Sequence, residues 1–180
     1  MNKKARIAVV LLCSLLYCSL FAEQTLGTDK AEREGVVEKL TTLISLLRDG
    51  YAHEYKEARG IHIFRTSAGS SVAVAIFTIE GFADGNNYSQ FMAVFATLGT
   101  KLEGQPPRPL SLLDVMAVGG KGWRSVDPKN VLISSRGDEI SINLDTREYA
   151  PQDPMCCPSK KSKAVYVIRP HVRGRLKELD

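Results

Sequence analysis

Two cysteines stand side by side at Cys156-Cys157, preceded by Met155 and bracketed by Pro154 and Pro158. Neighbouring Cα atoms sit about 3.8 Å apart across a trans peptide, whereas ordinary disulfides prefer about 5.5–6 Å. A bridge between these two would need a distorted or cis peptide. It closes almost no loop, so it adds little through chain entropy. Its value would be local: a rigid, sulfur-faced knuckle able to hold a loop or grip a ligand. Three other states compete with it. Two free thiols are disfavoured in an oxidising compartment. Bridges to another chain would give a dimer. Soft-metal capture, Cu(I) foremost, would add the Met155 thioether to two thiolates. Zinc wants four ligands, and His53, His62 and His171 show no spacing that supplies them. A thioredoxin-like motif is excluded, because the two intervening residues are missing. Met155, Cys156 and Cys157, with the single tryptophan Trp123, are therefore the candidate binding residues.

Other groups capable of chemistry are weaker. Gly119-Gly120-Lys121-Gly122 lacks both the dinucleotide glycine spacing and the phosphate-loop pattern, so it reads as a turn. Ser67, Ser70 and Ser71 lack a nucleophile elbow. Asp84, Asn86 and Asn87 lack the carboxylate count and late glutamate of a calcium loop. His62 lies among apolar strand residues and reads as structural. No catalytic residue, metal site or cofactor is expected.

Residues 1–22 read as a signal peptide. Lys3, Lys4 and Arg6 precede a short apolar run from Ile7 to Leu16, and Ala22 offers the small residue at the cleavage point. The run is short for a membrane span. The bulky Tyr17 before Cys18 argues against lipidation. The expected location is the periplasm or the extracellular space. Cleavage would remove Cys13 and Cys18 and leave only the adjacent pair.

The formal charge of +4 then falls to +1, with 21 basic and 20 acidic residues. That balance argues against a nucleic-acid partner, which needs a strong basic excess. The charge is unevenly placed. Glu23 to Pro158 carries 14 basic and 18 acidic residues, Ser159 to Asp180 seven and two. Lys160, Lys161, Lys163, Arg173 and Arg175 can meet an anionic surface.

The positioning elements follow from periodicity. After a leader at 23–28, Asp29 and Glu32 have capping-box spacing. Val36, Leu40, Leu43, Ile44 and Leu47 form one helical stripe, with Gly50 as a left-handed stop. Tyr51 to Gly60 is ambiguous between helix and strand. Strands are predicted at Ile61–Phe64, Val72–Glu80, Tyr88–Thr97, Val131–Ile133, Glu139–Asp145 and Ala164–Arg169. Leu110–Val118 reads as strand or short helix, and Pro106-Pro107 breaks the connection before it. The sum is one α+β domain over 29–170, an N-terminal helix on an antiparallel sheet of about five to seven strands, followed by a basic tail at 171–180.

The run from Tyr149 to Ser159, with Asp153-Pro154-Met155-Cys156-Cys157-Pro158-Ser159 at its centre, resembles the C-terminal signature of uncharacterised exported bacterial proteins. In those, an acidic-Pro-Met-Cys-Cys-Pro-Ser/Thr motif follows an alternating strand and precedes a final one. The resemblance implies export and an antiparallel sheet, and brings no activity. The expected function is non-enzymatic binding or structure at the cysteine loop. The alternative is redox or soft-metal handling in the envelope by Cys156 and Cys157.

Overall fold

The fold is that of a computed structural model, which describes residues 30–66, 70–97, 109–170 and 175–179. The segment 1–22 read as a signal peptide, the leader 23–28, Asp29, Ser67, Arg173, His171 and the Pro106-Pro107 connection lie outside the described residues. Contacts divide the chain into two units, 1–35 and 36–180. Within the first, residues 30–35 are helical and an exposed Lys30–Glu34 pair spans one turn at 4.0 Å. All that follows concerns the second unit.

The helix α1, residues 30–47, ends in this unit. Val36, Leu40 and Ile44, spaced four apart, are its buried residues and pack against Ala73, Ala75, Phe77, Ile79, Ala93 and Phe95 of the sheet. The alanines leave room for the helix backbone to approach. Each buried aliphatic side chain contributes about 1.5–3 kcal/mol as an upper estimate. Gly50 is not the left-handed stop expected, since its φ is not positive. The chain turns instead on Asp49, whose carboxylate accepts the N–H groups of Tyr51 (3.0 Å) and Ala52 (2.8 Å). Its other oxygen accepts Ala83 N–H at 2.8 Å, holding Ala83 in a left-handed conformation (φ 56°).

The strands are β1 His53–Glu54, β2 Gly60–Arg65, β3 Ser71–Glu80, β4 Tyr88–Thr97, β5 Leu110–Gly120, β6 Arg124–Arg136, β7 Glu139–Glu148, β8 Lys160–Ile168 and β9 Lys177–Leu179. All pair antiparallel in one sheet, in the order β1-β3-β4-β5-β6-β7-β8-β9, with β2 also on β3. The sheet thus has nine strands rather than five to seven. Tyr51–Gly60 resolves into β1 and a short 3-10 helix at Lys56–Ala58. Leu110–Val118 is strand, and Val131–Ile133 is the middle of a thirteen-residue strand. Part of the segment read as a basic tail is β9, and Leu176 beside it is buried.

The second core lies on the opposite face of β3 and β4. Val72, Val74, Ile76, Met92 and Val94 meet Val126, Ile140, Ile142, Leu144, Tyr166 and Ile168. The sheet therefore curls so that β6–β8 cover the first half. The break that permits this is at β5 and β6, which share one register pair, Gly120↔Arg124. The buried Gln90 of β4 replaces the missing ladder. Its side-chain oxygen accepts Val126 N–H at 2.7 Å and its amide donates to Val126 O at 3.1 Å. A Cβ at Gly119 would lie 2.8 Å from both Arg124 O and Gln90 Oε1, so only glycine fits this crossing. A register shift between Val126 and Val131 then bulges β6 toward β2, where Pro128 O lies 2.8 Å from His62 Nε2. The structural reading of His62 agrees with this contact.

Candidate functional site

The loop joining β7 to β8 is built around one carboxylate. Asp153 accepts the backbone N–H groups of Ala150 (2.8 Å) and Ser159 (2.7 Å) and the Ser159 hydroxyl (2.8 Å). Two backbone turns complete it, Asp153 N–H to Ala150 O at 3.0 Å and Cys157 N–H to Pro154 O at 2.9 Å. Pro158 is buried, while Met155, Cys156 and Cys157 are exposed. The Tyr149 hydroxyl accepts Gly122 N–H at 3.1 Å and donates to the Met155 carbonyl. It thereby ties the β5–β6 turn to the loop. A Cβ built on Gly122 would stand 3.9 Å from Met155 Cε, so the turn lies against the methionine.

Cys156 and Cys157 are joined as a vicinal disulfide with Cα atoms 3.8 Å apart. The described residues contain no cis peptide bond, so of the two geometries expected for the bridge, distorted or cis, the cis one is not used. None of the bonds that shape the loop involves a sulfur side chain. The disulfide is a surface that the loop displays, on a frame Asp153 and Tyr149 already hold.

Trp123 is 48% exposed and Met155 68% exposed. The guanidinium of Arg124 sits under the indole, its Cζ 4.5 Å from the ring centroid. Arg124 is itself fixed from below. Its Nε donates to Val118 O at 2.7 Å, and its terminal nitrogens reach both Glu178 oxygens and the Tyr166 hydroxyl. The hydrogen bond to Glu178 is the main reason the Arg124 pKa is raised, and its counterpart holds Glu178 below the ordinary value of 4.5. Burial pushes the Tyr166 phenol up, so it stays protonated.

The structure thus gathers Met155, Cys156, Cys157 and Trp123 at neighbouring turns. It does not bring the two described histidines to them. His53 lies 3.3 Å from Glu80, and His62, on β2, meets Pro128 O of the β6 bulge. Among the described residues, no group of three or more His, Cys, Asp or Glu can hold a metal ion. Ser70 and Ser71 are bonded into the sheet end, with Ser70 N–H on Thr66 Oγ1 at 3.2 Å and Ser71 N–H on Oγ1 of Thr97, the last residue of β4, at 2.9 Å. Lys160 pairs with Glu148 at 3.2 Å. Sequence reasoning missed Tyr149, Arg124 and Glu178 as supports. An Asp placed six residues before a Ser around a Pro-rich turn was a signal for the loop clasp.

No family model matches the chain, and neither the curated proteins nor the solved structures give a significant match. No helix among the described residues is long and apolar enough to cross a membrane.

The Asp153 clasp carries a pH prediction. The Ala150 N–H, then Ser159, hold its carboxyl below the ordinary 3.8. A depressed folded value means the clasp is intact above the unfolded value and is lost as pH falls through the folded one. Amide exchange at Ala150 and Ser159 should accelerate below about pH 3.8 beyond the intrinsic rate, and in Asp153→Asn should be fast at neutral pH too. Protection at both amides in the variant would show that something else holds the loop.

Proposed function

We propose that this is an exported, non-enzymatic binding protein whose recognition surface is the Met155-Cys156-Cys157 knuckle with Trp123 beside it. The observation that carries the reading is the exposure of Met155, Cys156 and Cys157 on a loop clasped by Asp153, with Trp123 exposed on the turn that Tyr149 ties to that loop. Thioether, disulfide and indole are polarizable surfaces suited to an apolar or ring-shaped ligand. Holding them rigid before binding lowers the ordering cost of association.

Trp123 is the sole tryptophan, so its emission reports on this surface alone. The neutral apolar fluorophore N-phenylnaphthylamine should bind saturably and accept energy from Trp123. Met155→Ala and the double change Cys156→Ser with Cys157→Ser should each weaken it roughly tenfold, with unchanged unfolding midpoints. No saturable binding, or binding indifferent to both variants, defeats the reading.

The exposure of both sulfurs also favours a second reading, redox or soft-metal handling in the envelope. There the reduced pair would take up Cu(I) with Met155. The cysteine double variant would then lose copper uptake by the reduced protein, whereas Trp123→Ala would keep it.

A further inference from the structure

The outer face of β6–β9 is open and patterned. Along these strands the buried residues alternate with exposed ones: Thr146, Leu144, Ala164 and Tyr166 point inward, and Arg147, Lys161 and Lys163 point out. Register places Arg147 directly opposite Lys161. Like charges in that position are destabilising, yet neither has a carboxylate within 4.0 Å among the described residues. Lys163 and, on β9, Lys177 extend the basic surface, and Asp145, opposite Lys163, is the acid among them. A row of three aliphatic residues interrupted by one amide runs beside the cations. Leu132, Asn143, Val165 and Leu179 are successive register partners across four strands, with Leu132 70% and Leu179 51% exposed.

We infer that this face docks on an anionic lipid bilayer surface. Adjacent strands lie about 4.8 Å apart, so the cations are spread in two dimensions over three strands rather than lined along a groove. A bilayer offers anions in that arrangement, with an apolar layer just beneath for exposed leucines. An acidic polypeptide would gain more from an edge or a cleft. A second copy of the chain would set these cations against their own kind. The inference is independent of the knuckle reading, because none of the cations belongs to Met155-Cys156-Cys157 or Trp123.

Co-sedimentation of the purified protein with vesicles tests it. The protein should pellet with phosphatidylcholine vesicles containing phosphatidylglycerol, and not with phosphatidylcholine alone. The bound fraction should fall as salt rises. Arg147→Gln with Lys161→Gln should weaken the partition roughly tenfold or more, with an unfolding midpoint unchanged or higher as the like-charge pair is relieved. Lys39→Gln with Lys56→Gln removes equal charge from other exposed sites and should keep binding. Equal losses in the two double variants overturn the inference, as does equal binding to neutral vesicles. Capture by soluble polyglutamate without binding to anionic vesicles overturns it in favour of an acidic polypeptide.

Discussion

Gly60→Ala should destabilise the protein by more than about 3 kcal/mol, because overpacking against backbone cannot be relieved by a rotamer change. A Cβ at this position would lie 1.8 Å from Pro128 O and 2.7 Å from its carbonyl carbon. Both atoms belong to the β6 bulge, which the Asp127 carboxylate stiffens by accepting Lys129 N–H at 2.9 Å and the Asn130 amide at 2.6 Å. Moving the bulge away also breaks the His62–Pro128 contact. Urea denaturation measures the loss. Gly50→Ala is the matched control, since its Cβ would meet nothing within 4 Å, and it should be neutral or slightly stabilising. A Gly60→Ala protein within about 1 kcal/mol of the parent, below the usual overpacking cost, would mean that β2 and β6 do not meet as described.

Arg124→Met should cost about 3 kcal/mol, the range for breaking a buried ion pair, discounted because one partner is partly solvated. The Arg124 side chain is 9% exposed and that of Glu178 34%. The variant removes the donor to Val118 O and to the Tyr166 hydroxyl oxygen, and leaves the Glu178 carboxylate with the Tyr166 hydroxyl at 3.2 Å in place of the guanidinium. It also removes the cation beneath Trp123. Glu178→Gln should cost less, because the amide still accepts one bond and lies nearer water. The pH dependence separates the pair from mere packing. Arg124 depresses the Glu178 pKa, so the pair's stabilisation is present above the unfolded value of 4.5 and disappears as pH falls through the folded one. In Arg124→Met the part of the acid-side decline that belongs to Glu178 should shrink, while the parts from Asp49 and Asp153 stay. A decline as steep as the parent's would show that Glu178 is not what Arg124 serves.

The helix stripe and the central strands were legible because their periodicity is unbroken. Val36, Leu40 and Ile44 recur at four, and Ile140, Ile142 and Leu144 alternate against Ser141 and Asn143. The 88–97 strand was placed to the residue. Three features were not legible, each for a physical reason. β6 contains Asp127-Pro128-Lys129-Asn130, a turn-like sequence that the chain uses as a bulge within a strand. β9 carries Lys177 and Glu178, whose charges mask the fact that Glu178 is drawn inward by a distant Arg124. Gly50 offered the usual helix stop, but Asp49 took the role through a carboxylate bonded to residues on two segments.

The cysteine loop shows the same division. The pair and its prolines marked the place, and the residue types suggested the sulfur surface. The clasp by Asp153 reaches three and six residues along the chain, within range of a local pattern, whereas the tie through Tyr149 to the Gly122 turn spans 27 residues. No local pattern encodes a pairing at that distance. Trp123 was a candidate by rarity alone, and it follows Gly122, the residue that Tyr149 ties to the loop.

Native alkylation followed by intact mass tests the central claim most directly. The protein, recovered from an oxidising compartment, should be a monomer two hydrogens light that takes up no label. Brief reduction should then give two labels, with the unfolding midpoint unchanged, because Asp153 rather than the disulfide holds the loop. Labelling without reductant, a covalent dimer, or loss of the fold on reduction would contradict a rigid loop that displays a vicinal disulfide.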